Sequence, residues 1–232
     1  MSDDSLLKGS RPSTVNLVRS SHSWTQADSA AGFVLRYLTP MREHLTEVLG
    51  SEQEADQALK LLLTHLVSAG FGDHKQGRLR DFLARAIRSC AKARLQELGR
   101  LSDDKSELSE VTPESREWLL KWRQCLLDRA WRALERMEHH DLSQPLYTVL
   151  WARSTNPKVT PEQIVAEVRQ RTGNEVGVEL LDALEMDAKA AFAQLLADEV
   201  VETLQSPQKD AVQKEIQSLG MGAAFTGVSV GA

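Results

Sequence analysis

The chain has 232 residues, 41% hydrophobic and 26% charged, with a formal charge of -5 and a pI near 5.7. That is the composition of a globular domain or two with real cores, not of a collagenous, low-complexity or membrane-embedded chain. The acidic balance argues against a protein coated all over in nucleic acid, although a basic face needs only local charge. Two cysteines, Cys90 and Cys125, both on apolar helical faces, read as reduced thiols of a cytoplasmic protein.

Residues 1–23 are polar and Ser-rich. They read as a disordered lead, neither signal peptide nor anchor. No stretch approaches the roughly 20 apolar residues of a membrane span, so no membrane partner is expected. Helical periodicity begins near Gln26 and reaches Tyr37. Pro40 interrupts or restarts it, and Met41, Leu45, Val48 and Leu49 continue the apolar stripe to Gly50. Ser51 followed by Glu54 is a capping-box pattern. It opens a helix carrying Ala55, Ala58, Leu59, Leu62, Leu63 and Leu66 that ends near Gly70.

After a short polar loop, Leu79, Phe82, Leu83, Ala86, Ile87 and Cys90 recur at three- and four-residue steps to about Leu98. The positions between them are basic. Residues 73–94 hold Lys75, Arg78, Arg80, Arg85, Arg88, Lys92 and Arg94 against Asp73 and Asp81. The solvated face of an ordinary helix is one reading of these bases; phosphate contact is the other. Phe82 reads as core, with Phe82 and Tyr37 as alternative stacking surfaces for a displaced strand.

Residues 100–115 are polar and read as a linker. Beyond it, Trp118, Leu119, Trp122, Leu126, Ala130, Leu134 and Met137 mark a long amphipathic helix, its tryptophans read as packing residues. A further helix spans Pro145 to Ala152, and Asn156-Pro157 ends it. Thr160-Pro161-Glu162-Gln163 starts the next, with Thr160 as N-cap and Pro161 at the first helical position. The turn Thr172-Gly173-Asn174 leads to a helix from about Gly177 to Leu204, so helix, Gly-containing turn and helix outline a helix-turn-helix. Residues 206–232 read as a flexible tail. No segment sustains period-2 alternation, and the expectation is an all-α protein. Its helical domains span 24–99 and 116–205.

No Gly-rich phosphate loop, metal-spaced His/Cys cluster or nucleophile motif is present. Adjacent His139 and His140 point apart on a helix and read as an exposed polar pair. The expectation is a binding protein, with no enzyme activity, cofactor or metal.

Gly77-Arg78-Leu79-Arg80-Asp81-Phe82-Leu83 resembles the Gly-Arg-Phe-Arg-x-Phe-Leu signature of a planctomycete-type branch of the extracytoplasmic-function (ECF) bacterial sigma factors. Arg36-Tyr37 with Pro40 looks like that family's Arg-Tyr-x-x-Pro opening, and Ser51-Glu52-Gln53-Glu54-Ala55-Asp56 like its Ser-Pro-Glu-Asp-Ala-Glu helix start. Phe192 to Val200 resembles the family's C-terminal Phe-Arg-x-Leu-Leu-Arg-x-Glu-Val, so the likeness runs patchily over about residues 25–215. The resemblance implies a sigma region-2-like helical domain and a C-terminal helix-turn-helix, acting in transcription initiation with RNA polymerase core and promoter DNA as partners. DNA contacts would fall to Lys75, Arg78, Arg80, Arg85, Arg88 and Lys92. Polymerase contacts would fall to Asp56, Gln57 and Lys60. Two features depart from the pattern. Gln57-Ala58-Leu59-Lys60 stands where the family carries Asp-Leu-x-Gln, and residues 175–200 hold seven acids against Lys189. The acidic helix implies the alternative, a degenerate sigma-like fold that binds a protein partner and no DNA.

Overall fold

The computed structural model describes residues 14–19, 22–72, 76–100, 108 and 111–231. Among them every regular element is helical, apart from two isolated β-bridges, so the all-α expectation holds. The helices are α1 (Ala30–Leu35), α2 (Leu38–Leu49), α3 (Glu52–Ala69), α4 (Leu79–Glu97), α5 (Arg116–His140), α6 (Leu146–Thr155), α7 (Pro161–Thr172), α8 (Leu181–Glu202) and α9 (Lys209–Ser218). No helix among the described residues is long and apolar enough to cross a membrane.

Two compact units are each assembled from separated stretches of chain. One comprises Val18–Leu127 with Glu199–Gly220; the other comprises the described part of Met1–Leu17 with Asp128–Asp198 and Met221–Ala232. Their limits fall inside α5 and α8. The polar stretch 100–115 is not where the units divide, and 101–107, 109 and 110 lie outside the described residues.

In the first unit α2, α3 and α4 pack on one another, with α1 against α3. Ser51 caps α3 by accepting from the Glu54 amide. The reciprocal half of the expected box is not made, because the Glu54 carboxylate pairs with Arg94 of α4. Met41, Leu45 and Leu49 of α2, Leu59, Leu62 and Leu66 of α3, and Leu79, Leu83 and Ile87 of α4 are all buried. Burying each such side chain contributes about 1.5–3 kcal/mol before chain entropy is set against it. Trp118 and Trp122, near the start of α5, are fully buried. Tyr37 stacks on Trp122 with ring centres 4.9 Å apart, so Tyr37 is a core residue and offers no surface to a nucleobase. Phe82 belongs to a second aromatic group with Trp24 and Phe71, at 5.6 and 5.4 Å.

The described part of residues 206–232 is not a loose tail. Val212, Glu215 and Ile216 of α9 are buried, and a short 3-10 helix follows at Gly222–Phe225. Glu215 places its carboxylate between two arginines of the α4 start: Arg80 Nε is 2.5 Å from Oε1, and Arg80 Nη2 and Arg78 Nη1 are 3.3 and 3.4 Å from Oε2. Polarity misled the sequence reading here, since an apolar stripe as narrow as Val212–Ile216 looks like coil until its charged residue finds a partner. The expected disordered lead is corrected where it is described. Val15 and Leu17 are buried, and in the second unit Val15 donates to the Ser229 carbonyl at 2.7 Å and accepts from Gly231 N at 2.8 Å. Residues 1–13, 20 and 21 lie outside the described residues.

The second unit holds the helix-turn-helix outline. Thr160 and Gln163 form a full capping box with Pro161 in the first turn, and Gly173, at φ 76°, ends α7 in the left-handed region that glycine tolerates. Val149 and Ala152 of α6, Ile164 and Val168 of α7, and Leu181 of α8 form its apolar centre. Trp131 packs against Phe192 at 4.5 Å. Glu138, buried at the end of α5, accepts from Thr148 N at 2.8 Å and Thr148 Oγ1 at 2.5 Å, which ties α5 to α6.

Two buried polar groups of the first unit make measurable predictions. Arg80 is 4% and Glu215 3% exposed, and removing one partner strands the other charge in the core. Glu215→Ala is expected to destabilise the protein by about 3–5 kcal/mol, read as a lower denaturation midpoint in urea. His44 is buried, its ring tilted against Trp118 at 5.7 Å, with neither ring nitrogen hydrogen-bonded and Glu47 3.8 Å away. Burial holds its pKa below the ordinary value of 6.5, against the opposing pull of Glu47. The unfolded chain therefore takes up this proton first, so stability is full above about pH 6.5 and falls as the pH drops below it. His44→Phe is expected to flatten that part of the stability–pH curve, measured by thermal melts between about pH 7 and 5.

Candidate nucleic-acid interface

The loop entering α4 is held by backbone and side chain alike. Gly77, at φ 76°, donates its N–H to Gln205 Oε1 at 2.8 Å, while its carbonyl accepts from Gln205 N at 3.0 Å and Trp24 Nε1 at 3.4 Å. Leu79 N donates to the Thr203 carbonyl at 2.8 Å. Arg78 occupies the N-cap in extended conformation without a side-chain capping bond. The Thr203 carbonyl thus meets one of the free N–H groups that every helix start presents.

The six basic residues expected to touch DNA do not form one set. Lys75 lies outside the described residues. Arg80 is buried, bidentate to Glu215, with Nη1 donating to the Pro113 carbonyl at 3.0 Å. Its own carbonyl accepts from Trp118 Nε1 at 3.1 Å. A guanidinium so enclosed cannot reach a phosphate, and Arg80 is corrected to a structural residue. Arg78 is half-buried and divided between Asp81 at 2.8 Å and Glu215 at 3.4 Å. Arg94, in the last turn, pairs with Glu54 and Glu97.

Arg85, Arg88 and Lys92 are different. All three are exposed, and none has an ion-pair partner among the described residues. Steps of three and four residues place them on one face, with exposed Ser89 and Gln96 beside them. Seven residues of helix cover about 10 Å, close to three steps of one nucleic-acid strand at about 3.4 Å each. The stripe stands on a helix whose opposite side (Leu83, Ala84, Ile87, Ala91 and Leu95) is buried, so the three charges rest on a rigid support.

Asp56, Gln57 and Lys60 share one exposed face of α3. Asp56 is engaged by Arg42, whose Nε and Nη2 lie 2.7 and 3.1 Å from its two oxygens. The Arg42 hydrogen bonds hold the Asp56 carboxyl below the usual carboxylate range. Lys60 stands between two shallow grooves, one lined by Leu38, Leu59, Leu63 and Val67, the other by Leu61, Thr64 and His65. The sequence reading missed Leu61 and Val67 as surface residues; Val67 is 76% exposed. Their signal was present, because neither falls on the stripe of Ala55, Leu59, Leu62 and Leu66.

From the 3-10 turn Val178–Leu180 into α8 the acidic set also divides. Glu185 accepts from Arg153 Nε at 2.6 Å and Glu199 lies 3.6 Å from Arg36, whereas Glu179 and Asp182 are exposed. Among the described residues no group of three His, Cys, Asp or Glu is placed to hold a metal ion. His139 and His140 are exposed. Cys90 and Cys125 form no disulfide among the described residues and are half-buried rather than fully enclosed.

Alanine at Arg85, Arg88 or Lys92 is expected to change stability by less than about 0.5 kcal/mol, whereas Arg80→Ala should cost about 3 kcal/mol or more. Urea titrations of the four single variants check the division between surface and structural bases. The chain matches no known protein-family model, no curated protein and no solved structure.

Proposed function

We propose that the protein is a sigma-factor-like transcription initiation or regulatory protein of the cytoplasm, binding rather than catalytic, that meets the phosphate backbone of promoter DNA through α4. The observation that carries this reading is the exposed, unpaired stripe Arg85–Arg88–Lys92. On one rigid face of an acidic chain three bases pair with no carboxylate among the described residues, and the partner such a face suits is a row of phosphates. The ECF-like motif at Gly77–Leu83 supports the reading in a revised form: Arg78 and Arg80 of the motif build the helix start, and the residues after the motif make the contact. Polymerase core would meet the α3 face with Gln57 and Lys60, where Leu61 and Val67 add apolar contact.

A second reading is favoured by Glu179 and Asp182, exposed on the helix that would otherwise enter the major groove. Like charges there oppose a phosphate backbone, and this reading makes the protein a regulator that works through protein contacts alone.

Fluorescence anisotropy with labelled single- and double-stranded DNA separates the two. The first reading expects salt-sensitive binding that Arg85→Ala/Arg88→Ala/Lys92→Ala abolishes or weakens, with the slope of log K against log salt shallower by about 2–3. Glu179→Ala/Asp182→Ala should leave that binding intact or slightly tighter. DNA binding that the triple variant leaves unchanged, or no binding even at low salt, rejects the α4 contact and leaves the second reading standing.

A further inference from the structure

We infer that the protein self-associates as a two-fold symmetric dimer through the surface of its second unit that runs from the end of α5 to the start of α8. One half of this surface is acidic and apolar. Val178, Leu180 and Met186 are 44%, 54% and 49% exposed, and Glu179 and Asp182 are exposed among them. Asp182, Ala183 and Met186 are exposed at steps of three and four in the first turns of α8, and Val178, Glu179 and Leu180 form the 3-10 turn that precedes it. The inner face is already satisfied: Leu181 is buried in the apolar centre, with Val176 and Leu184 packed against it.

The other half is basic and apolar. Arg132 and Arg136, four residues apart on α5, are exposed, and neither has an ion-pair partner among the described residues. Met137, about 100° round the helix from Arg136, and Leu142 in the turn after the helix are 44% and 45% exposed. The acids of this region are otherwise engaged or inward. Glu138 is buried on Thr148, Asp141 accepts from Ser143 and Gln144, and Glu135 is half-buried. The two halves are joined, since Asn174 Nδ2 donates to the Leu142 carbonyl and the turn holding Asn174 leads straight into Val178.

A surface with a positive and a negative half and apolar side chains in both is complementary to itself. In a two-fold dimer each residue pair is made twice, so the basic half of one copy faces the acidic half of the other. Five large apolar side chains along this stretch are each about half exposed. The basic stripe of α4 is a poorer occupant of the acidic half, because Ser89 and Gln96 flank it and no large apolar side chain does. The required charge and apolar contact are therefore found together on the same unit of a second copy.

Sedimentation velocity of the full chain over a concentration series tests this at low and high salt. The expected result is a shift from 25.8 kDa toward twice that mass, weakened by salt. Glu179→Arg/Asp182→Arg and, separately, Arg132→Glu/Arg136→Glu should each raise the dissociation constant by at least about tenfold. Mixing the two reversed chains in equal amounts should restore a dimer, since both contacts become attractive again. Circular dichroism checks the fold of each chain. If a reversed chain loses helix, Met137→Ser/Met186→Ser probes the apolar part of the same surface and is expected to be monomeric. A native chain that stays at monomer mass at every concentration overturns the proposal. So do reversed chains that self-associate as well as the native one, a mixture that remains monomeric, or a serine variant that dimerises undiminished.

Discussion

The carboxylate of Glu215 is the constraint on which the first unit turns. It lies near the C-terminal end of the chain, yet it neutralises Arg80 and shares Arg78 at the start of α4. The same end of the helix is met by Thr203 and Gln205 through the main chain. A helix start carries unsatisfied N–H groups and a partial positive charge. Two arginines add to that charge, so the site would be strongly unfavourable inside a protein without an acidic partner. Placing a buried carboxylate there satisfies both needs, at the cost of making α9 indispensable to the packing of α4.

That arrangement divides the basic helix by function. Bases at the start of α4 are drawn inward by Glu215 and Asp81, and Arg94 in its last turn is held by Glu54 and Glu97. In the middle of the helix Arg85, Arg88 and Lys92 are exposed, and no carboxylate among the described residues pairs with them. Net charge says little about such a face, because the field a ligand meets within a Debye length is set by the nearest charges. The overall charge of -5 and a basic stripe are therefore compatible.

The second unit shows the same sorting with signs reversed. Acids that find an arginine, such as Glu185 with Arg153, become part of the framework. Glu179 and Asp182 stay exposed among Val178, Leu180 and Met186. On a helix-turn-helix outline this surface, with acids interleaved among apolar side chains, is chemically unlike a phosphate-reading face.

Local chemistry made much of the fold legible. The stops and starts at Pro40, Ser51, Gly70, Thr160 and Gly173 were readable because capping and left-handed turns depend on residues only a few positions apart. The apolar stripes of α3, α4 and α5 were readable because burial follows the helical period. Beyond that range the sequence was silent. Arg80 and Arg85 look alike in the chain, and only the fold shows that one meets Glu215, 135 residues away, while the other meets solvent. For the same reason residues 206–232 read as a flexible tail and Tyr37 as an alternative stacking surface. Composition and periodicity determined that the protein is helical and where most of its helices run; tertiary structure alone decided that 209–218 is a packed helix and which charges are framework and which are surface, because an ion pair is settled by distance in space and not by separation along the chain.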